Sequence, residues 1–221
     1  MTLEIYRLKK LMHEMDKDEL SEMLSGFRCS RNKDSEHFLK KIALKHEARD
    51  ISRTYLVMDP ADGKIKGYIT LALKCLGLQD DEFDRSVADS MNLRDGIAQA
   101  YLIGQLARSD DAVPGLGKEM LRHALETFFK GKEMFGCRTV RLDCKDELIR
   151  YYGSCGFRHI RKIMKRTSTR WSFSYDAILC TAREGAAGPS PCSVTAVHEL
   201  RSQDTIRNIN RLRLTAVWTR I

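Results

Sequence analysis

The chain has 221 residues, enough for one domain with a real core and a tail, and 43% of them are aliphatic or aromatic, as in globular proteins. Lys plus Arg number 38 against 30 Asp plus Glu, a formal charge of +8 that tilts towards phosphate-bearing partners such as nucleic acid or a nucleotide cofactor. Seven cysteines without a Cys-x-x-Cys pair argue against a disulfide framework or a zinc site, no stretch approaches ~20 apolar residues, and the opening Met-Thr-Leu-Glu-Ile-Tyr-Arg lacks the plan of a signal peptide. A soluble cytoplasmic protein with no membrane partner is expected.

In chain order, Leu3 to Leu8 alternates as a strand, and Asp16 can cap a helix carrying Leu20, Met23 and Leu24. Asp34 or Ser35 can cap a second helix that buries Phe38, Leu39, Ile42, Ala43 and His46, leaving Lys40, Lys41, Lys45 and Arg49 off that stripe. Thr54 to Met58 is a short apolar strand. Asp59-Pro60-Ala61-Asp62-Gly63 is turn chemistry, and Ile65 to Leu76 alternates with Ile65, Gly67, Ile69, Leu71, Leu73 and Cys75 on one face. Gln79 to Gly96 is acidic and almost aperiodic, so a surface excursion is expected there.

Tyr101 to Ala107 follows as an apolar run suited to a strand buried on both faces. A polar loop with Pro114, Gly115 and Gly117 leads into a helix carrying Leu116, Met120, Leu121, Ala124, Leu125, Phe128 and Phe129 at helical spacing. A strand, a glycine loop and a helix capture anions well, because the first helical turn leaves N–H groups unpaired at the positive end of the dipole. A plain strand-to-helix turn has the same glycines, so a second signal is required.

Thr139 to Cys144 forms another strand, Lys145 to Gly153 a short helical stretch with Leu148, Ile149 and Tyr152 on adjacent faces, and Phe157 to Ile163 with Trp171 to Leu179 a closing pair. From Gly185 the composition is that of a linker, and the remainder to Ile221 has no strong period. A basic, flexible C-terminal extension over 183–221 is expected, outside a domain of residues 1–182.

The second signal is Tyr152-Gly153-Ser154-Cys155-Gly156-Phe157: a tyrosine closing a helical stretch, four positions before a Gly-Phe that starts a strand. Paired with the loop at Gly115 and Gly117, this resembles the GNAT superfamily of N-acetyltransferases over most of residues 3 to 182. The resemblance implies a mixed α/β fold in which a mostly antiparallel sheet, flanked by helices, splays to admit acetyl-CoA. It implies that the amides of Val113, Gly115, Leu116, Gly117 and Lys118 hold the pyrophosphate and that Leu106 and Ala107 pair with the pantetheine arm. Tyr152, with Tyr151 as its neighbouring alternative, would donate a proton to the departing CoA thiolate. A phenol, with an ordinary pKa of ~10, arrives protonated.

The loop departs from the family pattern. Ala112 stands where Gln or Arg is usual, Pro114 removes a donor, and Asp110 and Asp111 place carboxylates just before the anion site. Lys118 and Arg122 on the following helix are the expected compensating charges. A GNAT-fold nucleic-acid-binding module that has lost catalysis is therefore the alternative to an acetyltransferase.

Phe27-x-Cys29, the Phe38-Leu39 helix, Ser52 to Val57 and Ile65 to Leu71 are similar to the opening of the GNAT toxins that acetylate the amino group of aminoacyl-tRNA. That resemblance implies a primary-amine acceptor, aminoacyl-tRNA among the candidates, and leaves room for an antitoxin partner and a homodimer. Two basic groups, Lys40 to Arg49 and Arg158 to Arg170, would suit a phosphate backbone or simply a solvated face. Trp171, Phe173 and Tyr175 alternate on one strand as stacking or core residues. The six histidines have no metal-ligand spacing, so no metal is expected; Cys144 and Cys155 read as structural thiols. Glu133 and Asp143 are open candidates for the base.

Overall fold

The computed structural model describes residues 3–77, 97–166 and 171–180, with side chains followed as far as His159. The Gln79–Gly96 excursion, the extension 183–221, and the side chains of Trp171, Phe173, Tyr175 and the basic group beyond Arg158 lie outside the described residues. Contacts gather into two compact units. The described residues of the first are 3–72 and 104–127; those of the second are 73–77, 97–103 and 128 onwards.

In the first unit, β1 (Glu4–Arg7) leads into α1 (Leu8–Glu14) and α2 (Lys17–Ser25), the latter capped by the Asp16 carboxylate accepting from the Asp18 N–H at 2.8 Å. The next helix, α3 (Lys33–His37), runs through a π turn at Phe38–Ile42 into α4 (Ala43–Ala48). Its cap is neither Asp34 nor Ser35: the Asn32 side chain accepts from the Ser35 N–H, and Ser35 is itself buried. The stripe it buries is Leu39, Ala43 and Glu47, with Phe38, Ile42 and His46 half-buried beside it. The Glu47 carboxylate accepts the Thr54 N–H and faces Arg53 at 3.4 Å, so the helix end is tied to the next strand. Burial nevertheless raises its pKa above the usual carboxylate range.

That strand, β2 (Arg53–Met58), pairs antiparallel with β1 and with the first part of β3 (Ile65–Gly77), and the order in this unit is β1-β2-β3-β4. The end of β4 (Ile97–Arg108), Gly104–Arg108, is its last member. Side chains leave the sheet alternately, as a two-residue period requires. Leu56, Met58, Tyr68 and Ala107 join Leu8, Leu11, Leu24, Leu39 and Ala43 of α1 to α4. Val57 and the half-buried Leu106 instead meet Leu3, Leu116 and Met120, the last two on the opening turns of α5 (Leu116–Phe135). Gly67 allows that docking: a Cβ there would lie 2.9 Å from Met120 Sδ and 3.1 Å from the Ala107 carbonyl oxygen.

In the second unit the order is β3-β4-β5-β7-β6, with β5 (Thr139–Cys144), β6 (Arg158–Arg166) and β7 (Trp171–Cys180). The β4–β5 pair is parallel, from Tyr101↔Val140 to Ile103↔Leu142; β5–β7 and β7–β6 are antiparallel. Tyr101 stacks on Phe128 at 4.8 Å and its hydroxyl donates to the Gly136 carbonyl at 3.0 Å, where Gly136 ends α5 with φ +80. A 3₁₀ turn, Asp146–Leu148, precedes α6 (Ile149–Ser154), and of the three apolar residues expected there only Tyr152 is buried.

Two strands differ from expectation. Leu73 and Cys75 of β3 are exposed, and Leu76 is buried in their stead, so the regular face ends at Leu71. In β4, Ala100, Tyr101, Ile103 and Ala107 are buried, but Gly104 is exposed and Gln105 and Leu106 are only half-buried. Among the described residues the ladder to β5 ends at Ile103, which removes one neighbour from the residues that follow. Among the described residues no helix is long and apolar enough to cross a membrane.

Candidate functional site

The loop between β4 and α5 is built in two parts. Its first part is braced by its own polar groups. Ser109 N–H donates to the Lys66 carbonyl at 2.8 Å, Asp110 N–H to the Arg28 carbonyl at 3.1 Å, and Ala112 N–H to the Ser109 carbonyl at 3.2 Å. The Asp110 carboxylate accepts from the Ser30 N–H at 2.9 Å and the Ser30 hydroxyl at 2.8 Å. Asp111 accepts from the Ser109 hydroxyl at 2.6 Å and from Lys66 Nζ at 2.9 Å; Asp62 completes the ion pair at 3.1 Å. The Ser109 hydroxyl and the Lys66 ammonium hold the Asp111 carboxyl at about 2, well below the usual range. The two carboxylates that look hostile to an anion are thus employed in holding the loop.

In the second part the backbone is left open. Gly115 has φ +89, a conformation in which an L side chain costs about 1–2 kcal/mol, and an added Cβ there meets only open space. Among the described residues the N–H groups of Val113, Gly115 and Gly117 have no acceptor. Lys118 N–H donates to the Gly115 carbonyl at 2.9 Å and Leu116 N–H to the Val113 carbonyl at 3.5 Å, so those two amides of the expected five are directed into the loop itself. Three free donors and the positive end of a 20-residue helix remain for an anion.

The charges expected to compensate divide unequally. Arg122 is committed to Glu119 at 2.9 Å and to Glu126, so its guanidinium is already neutralised on the helix surface. Lys118 is exposed and has no ion-pair partner among the described residues. Upstream on β4, Leu106 is half-buried and Ala107 buried, as stated above. Neither site residue on the strand carries a polar side chain, so any contact they make to a ligand's amides passes through their backbone.

Tyr152 belongs to the second unit. It packs edge-on against Tyr151 at 5.1 Å and Phe157 at 5.8 Å, and its carbonyl accepts the N–H groups of Cys155 and Phe157, both at 3.0 Å. Those two bonds close the short helix and start β6 beneath the ring, which accounts for the tyrosine's spacing from Gly-Phe. Gly156 adopts φ +89 to make the turn. The Tyr152 hydroxyl has no hydrogen-bond partner among the described residues, and burial, with Tyr151, Cys144 and Cys155 nearby, pushes its pKa above the ordinary phenol value. It is therefore held protonated.

Other candidates are occupied. Burial pushes the Cys144 thiol up to about 11, unsuited to a nucleophile. Asp143 faces Arg141 at 3.3 Å and Glu133 is exposed. Lys40 is paired with Glu36 at 2.7 Å, whereas Lys41, Lys45 and Arg49 are exposed. Sequence reading passed over Gln105, whose side chain accepts from the Ser35 hydroxyl at 2.7 Å; a lone glutamine in an apolar strand was the available signal.

No family model matches the chain, and no curated protein matches it by sequence. Among solved structures it is similar to AtaT complexed with acetyl-methionyl-tRNAfMet, at 16% identity and TM-score 0.59 over 78% of this chain and 93% of that one. It is similar to a tyrosine-to-phenylalanine mutant of KacT, at 17% and 0.58 over 79% and 95%. It is also similar to such a mutant of the AtaT toxin bound to acetyl-CoA and the C-terminus of the antitoxin AtaR, at 19% and 0.52 over 71% and 85%. Structures alike at such identities share a fold, and this chain has the mixed α/β GNAT fold of the AtaT and KacT toxins.

Proposed function

We propose that the chain is an N-acetyltransferase that moves an acetyl group from acetyl-CoA to a primary amine, with the amino group of aminoacyl-tRNA as the acceptor. The observation that carries this reading is the set of three amides, Val113, Gly115 and Gly117, that have no acceptor among the described residues, at the start of α5 in a GNAT fold. They are the donors a pyrophosphate needs, and Lys118 adds one cation. Leu106 and Ala107 offer backbone groups to the pantetheine arm. Residues 1–182 act as the catalytic domain and 183–221 as a basic extension.

The chemistry needs an amine nucleophile held against the thioester, a donor for the carbonyl oxyanion, and an acid for the sulfur. As the amine's lone pair attacks the thioester carbon and the C–S bond breaks, Tyr152 gives its proton to the leaving thiolate. Like any phenol it carries that proton at neutral pH. The amine loses its own proton to water or to a base not identified among the described side chains. The AtaT structures solved with acetyl-CoA, with acetyl-methionyl-tRNA and with an antitoxin support the same cosubstrate, acceptor class and kind of partner here; a homodimer and a cytoplasmic location are further parts of the proposal.

Labelled acetyl-CoA, offered with bulk charged tRNA, polyamines and short peptides, tests the reading. Label is expected on charged tRNA. Tyr152→Phe should lower transfer about 10²- to 10⁴-fold, the range for a lost general acid, while keeping the thermal shift that acetyl-CoA produces on the folded chain. A protein stabilised by RNA alone, steeply dependent on salt, and never by acetyl-CoA would instead be the nucleic-acid-binding module.

A further inference from the structure

The geometry points to Gln105 as the residue that selects the acceptor: its side-chain NH₂ holds an oxygen next to the reacting amine, so that α-aminoacyl compounds are preferred over plain alkylamines. This rests on the acetyltransferase reading. Gln105 is a half-buried amide on β4, one residue before Leu106, in the stretch where Gly104 is exposed. Its neighbour Leu106 faces the α5 side, with Leu116 and Met120, whereas Ala107 packs with the helices α1 to α4. By the two-residue period Gln105 shares the face of Ala107, and Ser35 of α3 is its contact there.

The amide is aimed rather than merely present. The fully buried Ser35 hydroxyl donates to Gln105 Oε1 at 2.7 Å. Ser35 is fixed in turn: Asn32 caps its N–H at 3.2 Å, and its carbonyl accepts the hydroxyl of the fully buried Tyr68 at 2.7 Å. With its oxygen so occupied, the Gln105 amide has only donors left to offer. Neither N–H has a partner among the described residues, and the nitrogen is not a buried one. A pre-set pair of donors in a partly open strand fits an acceptor oxygen: the acyl carbonyl beside the α-amino group of an aminoacyl ester. Simple amines carry no such oxygen.

The test compares KM and kcat for amino-acid methyl esters and for n-butylamine in wild type, Gln105→Glu, Gln105→Met and Ser35→Ala, with acetyl-CoA binding and melting temperature measured in each. Gln105→Glu keeps the acceptor for Ser35 and removes the donors. It should raise KM for the esters about tenfold relative to that for n-butylamine, the loss of roughly one hydrogen bond, with acetyl-CoA affinity unchanged. Gln105→Met should do the same, and Ser35→Ala should give a smaller effect of the same kind, since it frees the amide without removing it. Equal losses on both acceptor classes, or no loss on either, would overturn the assignment while leaving the acetyltransferase reading intact. A wild-type protein inert on every amine would overturn both.

Discussion

The two parts of the loop before α5 solve opposite problems with similar-looking sequence. Ser109 to Ala112 spends its polar groups on the protein: two carboxylates and three N–H groups all find partners on Arg28, Ser30, Lys66 or within the loop. From Val113 to Gly117 three of the four N–H groups, those of Val113, Gly115 and Gly117, have no acceptor among the described residues, in a stretch with no polar side chain at all. The difference teaches that the charge of a loop does not decide what it binds. The Asp110 carboxylate is turned to the donors of Ser30 and that of Asp111 is paired with Lys66, so both brace the segment that carries the free amides.

The comparison breaks most severely at Gly115. Gly115→Val places a β-branched side chain at φ +89, which costs about 1–2 kcal/mol and is relieved by rotating the peptide that carries a free N–H. Acetyl-CoA affinity, read by calorimetry, should fall about tenfold while the fold persists, because nothing stands near the added Cβ. Unchanged affinity would mean that this amide is not a ligand donor.

The bracing part gives a smaller effect of another kind. Asp111→Asn removes the charge that faces Lys66, a side chain only 7% exposed, although Asp62 remains at 3.1 Å. Asp111 is itself 59% exposed, so solvent screens the pair and the loss of stability should be about 1 kcal/mol. Its carboxyl is held at about 2 against an ordinary 3.8, so the stabilisation is complete above about pH 4 and is lost as pH falls through 2. Melting temperatures of mutant and wild type should therefore converge in acid. A gap that persists at pH 2 would assign the effect to packing instead.

The same division explains what was legible in the sequence. β5 runs from Thr139 to Cys144 as expected, and α5 begins at Leu116, because both are specified by local pattern: an alternation that turns Val140 and Leu142 the same way in one case, glycines followed by helical spacing in the other. The mixed α/β fold was readable through the glycine loop and the tyrosine four residues before Gly-Phe. What could not be read depends on partners distant in sequence. Asn32 rather than Asp34 caps α3, since Ser35 is drawn inward by Gln105 and Tyr68. Glu47, a charged residue on a helix, is buried because the Thr54 N–H needs an acceptor. Leu73 and Cys75 continue an alternating pattern past the point where the sheet face is covered.

The smallest effect is the sharpest on the question of charge. Arg122 and Lys118 both stand on the first turns of α5 and look interchangeable as phosphate ligands, yet Arg122 is clamped between Glu119 and Glu126 while Lys118 has no such partner among the described residues. Moving the guanidinium to a ligand would break two helix-surface pairs worth about 0.3–0.5 kcal/mol each and leave both carboxylates uncompensated near an anion. Arg122→Gln should therefore change acetyl-CoA affinity less than about twofold, whereas Lys118→Ala should weaken it about threefold to tenfold, with a shallower dependence on salt. A larger loss in Arg122→Gln than in Lys118→Ala would mean that ligand binding rearranges the helix surface, and that the division between committed and free groups holds only without ligand.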